Sequence, residues 1–135
     1  MTDRELLEKA AAAFWAGEID DVCSVEWSEQ DNCILYTHGD NQDHNGADRT
    51  YRWNPLEENS DAFELAVKLG LAVVPYPIYA KPKHSVIAKQ YDHARYLRGE
   101  GQDVLIEEIE VYGDDPAAAT RRCIVRAAAS IGPTP

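Results

Sequence analysis

The sequence predicts a single α+β domain over residues 1–135, in which a mixed or antiparallel sheet of about five or six strands carries helices on both faces. The length of 135 residues falls in the range of about 100–150 where single domains are most common. An apolar content of 44% with 27% charged residues is typical of a folded globular chain. Helix-like and strand-like segments follow one another in the order α-β-β-β-α-β-β-β-α, which favours helices layered on a sheet.

The first predicted helix covers about residues 3–16. Thr2 and Glu5 have the spacing of a capping box, and Gly17 is suited to end the helix. Apolar side chains then recur at helical intervals, at Leu6, Leu7, Ala10, Phe14 and Trp15.

A hairpin is predicted next. Residues 21–28 and 33–38 are rich in β-branched and aromatic side chains and are separated by the polar residues 29–32. Residues 38–50 contain no apolar side chain larger than alanine, so we expect a loop there. An alternating pattern at 51–53 predicts a third strand.

The middle of the chain predicts a second helix at about 60–69. Asp61 and Glu64 have capping-box spacing, and Gly70 is suited to end the helix. The short apolar segment 71–74 predicts a strand, which the prolines that follow it would limit.

Two further strands are predicted at 86–91 and 104–112. In the second, alternation predicts one buried apolar face with Glu108 and Glu110 on the solvent face, and the adjacent glutamates at 107–108 indicate a bulge.

The last predicted helix is capped by Asp114 or Asp115 and has Pro116 in its first turn. Its apolar stripe is predicted at Ala117, Thr120, Ile124, Ala127, Ala128 and Ile131.

The cysteines and the apolar runs indicate a cytoplasmic protein. Cys23, Cys33 and Cys123 are odd in number and lack zinc-site spacing, so we expect reduced thiols that pack as small apolar groups. No segment has the pattern of a secretory signal, and the longest apolar runs are far shorter than a membrane span.

Charge is distributed unevenly along the chain. Residues 1–74 hold 16 acidic and 5 basic residues, whereas residues 75–135 hold 8 of each, so the first part carries the whole net charge of −11. Duplex nucleic acid is an unfavourable partner for such a chain. An acidic surface, with Asp20, Asp21 and Glu26 among its members, would favour a basic partner protein, although acidity can also serve solubility alone.

Several sequence segments carry a resemblance to a known family. They are WNPL at 53–56, DA at 61–62, LAVKLG at 65–70, DP at 115–116, ATRR at 119–122, IVRAAA at 124–129 and the opening MTDRELL at 1–7. Together they resemble the phage ABA-sandwich domain, a family of small bacteriophage and prophage proteins. The resemblance implies a three-layer α-β-α sandwich and a phage origin, but it implies no activity and no functional residues. Residues 28–50 and 75–103 depart from the family's short connections.

Residues 76–98 combine basic and aromatic side chains with a single acidic residue, Asp92. Such a mixture suits a nucleotide or another small anion through charge pairing and stacking, and it equally suits a strand with tyrosines on one face and solvated lysines on the other. The candidate ligand-binding residues are Tyr79, Lys81, Lys83, His84, Lys89, Tyr91, Arg95 and Arg98.

The polar segment 38–48 offers nitrogen and oxygen donors suited to a divalent metal, unless it is a plain solvated loop. Residues 41–52 resemble the first half of a calcium-binding loop. Such a loop needs a bidentate Glu at its twelfth position, and this segment has Asn41 at the first position and Arg52 at the twelfth, so calcium binding is not expected. The candidate metal ligands are His38, Asp40, Asp43 and His44.

Catalytic motifs are missing from the sequence, which has no nucleophile elbow, P-loop, dinucleotide turn or zinc-protease helix. We therefore expect binding without catalysis and without a cofactor. The leading hypothesis is an accessory or counter-defence protein that engages a host macromolecule. The alternatives are a binder of a small anion at 76–98 and, least favoured, a metal-dependent hydrolase at 38–48. Exposed sheet edges leave a homodimer open.

Overall fold

A computed structural model describes residues 1–16, 22–42, 48–76, 85–92, 97–99 and 104–131. The helices and strands, in chain order, are α1 (Asp3–Phe14), β1 (Val22–Ser28), β2 (Cys33–Gln42), β3 (Asp48–Trp53), α2 (Asn59–Lys68), β4 (Leu71–Pro75), β5 (Ser85–Tyr91), β6 (Val104–Val111) and α3 (Pro116–Ile131).

Helix α1 begins at the predicted cap. Thr2 is extended, and its Oγ1 accepts a hydrogen bond from the Glu5 backbone N–H at 3.1 Å while donating to the Glu5 carboxylate at 3.3 Å. The helix ends at Phe14. Its predicted stop, Gly17, lies outside the described residues.

The first sheet has the order β1-β2-β3, and both strand pairs are antiparallel. The predicted hairpin between β1 and β2 is confirmed. In its turn, the Asp31 N–H donates to Ser28 Oγ at 3.1 Å, and Asn32 adopts the left-handed φ of 54° that asparagine tolerates.

The prediction of a loop over 38–50 is wrong for the residues that the structure describes. Strand β2 continues to Gln42 and β3 starts at Asp48, with His38 opposite Arg49. Backbone groups alone form a strand ladder, so a run of polar side chains does not prevent pairing where the partner strand is already in register. Residues 43–47 lie outside the described part of the chain.

The predicted second helix is confirmed as α2 to within one residue at each end, but its predicted capping box is wrong. The N-cap is Glu58, which makes no side-chain cap hydrogen bond. The Asp61 carboxylate instead accepts the backbone N–H of Asn54 at 2.9 Å and so fixes the turn between β3 and α2. Gly70 follows the helix with a φ of 64°, as its predicted role as a stop requires.

The second sheet has the order β4-β5-β6 and is also antiparallel. An α+β fold with three helices is confirmed, and its arrangement is compatible with a sandwich. The six strands form two three-stranded sheets, where the sequence predicted a single sheet. A sequence pattern marks strands but carries no signal for which strands pair across a helix.

Helix α3 lies at the centre of the fold. It contacts α1, α2 and all three strands of the second sheet. The cap is Asp115, whose Oδ1 accepts the Ala118 N–H at 3.1 Å. One hydrophobic cluster joins α3 to α1, α2 and the first sheet; the other joins α3 to the second sheet, and Leu71 and Val73 pack against both.

The predicted apolar stripe of α3 is only partly correct. Ala117 is exposed, and Thr120 and Ile131 are half-buried. The helix is buried over a wider arc than one stripe because it packs on two sides. Its buried residues are Ala119, Cys123, Ile124, Val125, Ala127 and Ala128.

Two substitutions at Asp61 should distinguish the contribution of its hydrogen bond to stability from that of its charge. Burial raises the pKa of this carboxyl above its ordinary value of 3.8, and the Asn54 N–H opposes that shift. The folded state therefore binds the proton more tightly than the unfolded state, and the stabilisation that this provides at low pH is lost as pH rises through the folded pKa. At pH 7 burial of the ionised Asp61 carboxylate therefore lowers the free energy of unfolding.

We expect Asp61→Asn, which keeps an acceptor for Asn54 without the charge, to unfold at pH 7 at an equal or higher urea concentration than the parent protein. Asp61→Ala should lower the free energy of unfolding by about 1–2 kcal/mol, because it leaves the part-buried Asn54 N–H without an acceptor. Equal destabilisation by both substitutions would contradict this assignment.

The thiols of Cys33 and Cys123 should be inert in the folded protein. Both are fully buried. Burial raises the pKa of the Cys123 thiol to about 11, and its Sγ lies 3.2 Å from the Glu108 carbonyl oxygen, to which the thiol donates. We expect iodoacetamide at pH 8 to leave both residues unmodified in native protein and to alkylate both in urea, measured by peptide mass mapping. Rapid native alkylation of Cys123 would refute the burial.

Candidate functional site

The outer face of the second sheet is apolar and open to solvent. Val74, Ile87 and Ile109 lie side by side across the three strands in the observed register. Ile109 is 53% exposed and Val111 is 60% exposed. We call this surface the outer sheet face; its apolar members are Val74, Ile87, Val104, Leu105, Ile109 and Val111.

The opposite face of β6 carries carboxylates against α3. Arg126 of α3 bonds two of them: its Nη1 lies 2.6 Å from Glu110 Oε2, and its Nη2 lies 3.0 Å from Glu108 Oε2. Ser130 adds a hydrogen bond from its hydroxyl to the Glu108 carboxylate at 3.2 Å. The hydrogen bond to Glu110 is the main cause of a raised pKa of the Arg126 guanidinium. The arrangement links α3 to the sheet, because one guanidinium bonds two half-buried carboxylates.

Strand β6 therefore has the opposite polarity to the one predicted from alternation. Glu108 and Glu110 face the helix, and Ile109 faces solvent. The predicted bulge is also displaced: the register shift places the extra residue at Leu105, before the glutamates. Alternation defines two faces of a strand but assigns neither to the core. Here Glu108 and Glu110 lie opposite the buried Ala88 and Val86 of β5, on the side of the sheet that packs against α3.

One ion pair interrupts the outer sheet face. Lys89 lies opposite Glu107, and the Lys89 Nζ is 3.7 Å from the Glu107 carboxylate. These two residues are the charged side chains that the three strands turn outward. The face is consequently neutral, in a chain whose net charge is −11.

A second apolar feature lies between α2, β4 and α3. Its floor includes Ala62, Ala66 and Ile124, and it encloses a volume of about 550 Å³. Phe63 and Val67 stand on its rim, 68% and 62% exposed. We call it the α2–α3 groove.

The three arginines of α3, which the sequence places on one helical face, serve different parts of the fold. Arg121 donates to the Leu56 carbonyl at 2.9 Å, and Arg122 pairs with Asp3 at 3.0 Å. Arg126 holds the carboxylates of β6. The three side chains therefore bond three different parts of the fold.

Most of the predicted ligand-binding residues lie outside the described chain; these are Tyr79, Lys81, Lys83, His84 and Arg95. Lys89 and Tyr91 are in β5, and Lys89 is paired with Glu107. Arg98 is exposed. The structure thus brings two of the eight, Lys89 and Tyr91, onto one strand face, where the lysine charge is already neutralised.

The predicted metal ligands are not brought together in the described residues. His38 and Asp40 belong to β2, and Asp43 and His44 lie outside the described segments. Within the described segments, no group of three histidine, cysteine or acidic side chains is arranged to hold a metal ion.

The acidic surface is partly described. Glu26 is exposed on β1, whereas Asp20 and Asp21 fall outside the described residues. Some of the acidic side chains form ion pairs within the chain: Arg4 Nε lies 2.7 Å from Glu8 Oε1, and Arg4 Nη1 lies 2.6 Å from Glu29 Oε1.

No helix in the described part of the chain is both long and apolar enough to cross a membrane. Comparisons with protein-family models, curated proteins and solved structures found no match to this chain.

Sequence reasoning missed the outer sheet face and the α2–α3 groove. Their alternation with glutamates predicts Ile109 and Val111 in the core, whereas both are exposed. The presence of Arg126 on the last helix was the available signal, since an arginine on a helix can accept inward-facing carboxylates. Phe63 and Val67 are four residues apart in α2, and this spacing is typical of a buried apolar stripe, so the sequence does not indicate that they are exposed.

Removal of Arg126 should destabilise the fold. Arg126→Met leaves two half-buried carboxylates side by side, and we expect the free energy of unfolding to fall by about 1–2 kcal/mol. This is less than for a fully buried ion pair, because solvent screens these groups. The measurement is urea denaturation at pH 7.

The matched control is Arg4→Met, which removes an exposed arginine that also bonds two carboxylates and should leave the midpoint almost unchanged. Adding Glu108→Gln and Glu110→Gln to Arg126→Met should recover most of the loss. Failure of that recovery would show that charge is not the cause.

Proposed function

We propose that this protein is a non-catalytic accessory protein of a bacteriophage or prophage that binds a host protein in the host cytoplasm, through the outer sheet face. The observation that carries the proposal is the exposed apolar row across β4, β5 and β6. On soluble proteins, large contiguous apolar patches mark sites of interaction. The resemblance to phage ABA-sandwich proteins supports the phage origin.

Charge favours a basic protein as the occupant of this face. A net charge of −11 on each copy repels a second copy and attracts a basic partner. The outer sheet face itself is neutral because Lys89 and Glu107 pair. Long-range attraction would therefore steer the partner, and apolar contact would hold it, which is the usual division between rate of encounter and affinity.

The test compares two variants with the same change of charge at exposed apolar positions. Ile109→Glu alters the outer sheet face, and Phe63→Glu alters the α2–α3 groove; the two side chains are 53% and 68% exposed in the parent. Circular dichroism and thermal melting establish that both variants fold. Tagged protein is then used to capture a partner from host lysate, and the captured protein is purified for binding measurements.

We expect Ile109→Glu to weaken binding of the purified basic partner at least about tenfold, because it places a charge in an apolar contact. Phe63→Glu should bind like the parent protein, and higher salt should slow association. Loss of binding with Phe63→Glu alone would overturn the proposed surface. Concentration-dependent dimers in light scattering that Ile109→Glu abolishes would assign the face to a second copy and overturn the host-protein proposal.

A further inference from the structure

The α2–α3 groove has the shape and chemistry of a small-molecule site. Its volume of about 550 Å³ lies within the usual range for ligand pockets, about 300–1,000 Å³. It follows α2 from Asn59 to Val67, a distance of about 12 Å at the helical rise per residue. Its apolar floor is formed by Ala62, Ala66, Leu71, Val73 and Ile124.

Polar groups are concentrated at one end of this groove. Arg121 lies there with Asn59, whose side-chain oxygen accepts the Arg121 Nη1 hydrogen bond at 2.8 Å. The Arg121 Nε donates to the Leu56 carbonyl oxygen at 2.9 Å. These two bonds hold the guanidinium in place through neutral acceptors and leave further N–H donors for a ligand, since the group has five.

The charge at this end has no counter-ion in the described structure. Among the described residues that line the groove, Arg121 is the single charged one, and no described carboxylate lies within 4.0 Å of it. Arg4, Arg122 and Arg126 all pair with carboxylates. In a chain with 24 acidic and 13 basic residues, an arginine without an acidic partner at the head of an apolar groove is complementary to an anion.

We propose that the α2–α3 groove binds a small apolar carboxylic acid, with its carboxylate on Arg121 and its hydrocarbon part along α2. A carboxylate accepts paired hydrogen bonds from a guanidinium, which gives such a ligand a fixed direction in the groove. One charged end and one apolar length match an amphiphile of medium chain length. This site is separate from the outer sheet face, so either proposal can fail without the other.

The test uses decanoate below its micelle concentration as the probe, with decanol and decyltrimethylammonium as probes of the same chain and a different head group. Binding to the folded protein is followed by thermal shift and by chemical-shift changes in NMR. We expect saturable binding of decanoate, with shifts at Ala66, Val67 and Ile124. Decanol should bind more weakly, and the cationic probe should not compete for the groove.

Variants identify the contribution of each part of the groove. Arg121→Gln should weaken decanoate at least about tenfold while leaving decanol unchanged, because a charge-assisted bond is lost. Arg122→Gln is the matched control, since Arg122 is the next residue on α3 and pairs with Asp3 outside the groove. It should bind decanoate like the parent protein.

A second variant keeps the test informative if Arg121→Gln does not fold. Ala117 lines the groove and is exposed, so Ala117→Phe fills space there without entering the core. It should reduce the binding of decanoate and decanol alike. Equal affinity for decanoate and decanol in the parent protein would overturn the role of Arg121, and absence of saturable decanoate binding would overturn the site.

Discussion

Helix α3 packs against α1 and α2 on one side and against the second sheet on the other, and both hydrophobic clusters depend on its residues. Val125 and Ala128 serve the first cluster, and Cys123 and Ala127 serve the second. The described strands of the two sheets do not share a ladder, and α3 contributes residues to both of the hydrophobic clusters that connect them. Small side chains on α3 suit this position because they let neighbouring elements approach on two sides.

The same helix determines the polarity of β6. Arg126 reaches the sheet and bonds Glu108 and Glu110, which places the polar side of the strand beneath the helix. Because strand side chains alternate, the apolar residues between these glutamates then face outward. The ion pairs and the buried Val86 and Ala88 of β5 lie on the same side of the sheet, against α3, so the proposed binding surface lies on the other side.

Two surfaces with different chemistry result from this arrangement. The outer sheet face is broad, apolar and neutral, which suits contact with another protein. The α2–α3 groove is narrow and apolar with a single positive end, which suits a small amphiphile. Neither contains the paired acid, base or nucleophile that a hydrolytic mechanism needs among its described residues.

The sequence by itself determined where most helices and strands lie, because caps, turns and periodicity are local, but it did not predict the strand pairing of the polar residues 38–42 and 48–50. Thr2, Asp115 and Gly70 act where their residue types predict, and the turn before β2 forms as expected. Only the tertiary structure decided how the strands divide into sheets, which face of β6 is buried and where Asp61 bonds. Those outcomes depend on contacts between residues far apart in the chain, such as Arg126 with Glu110, and a local pattern does not contain them.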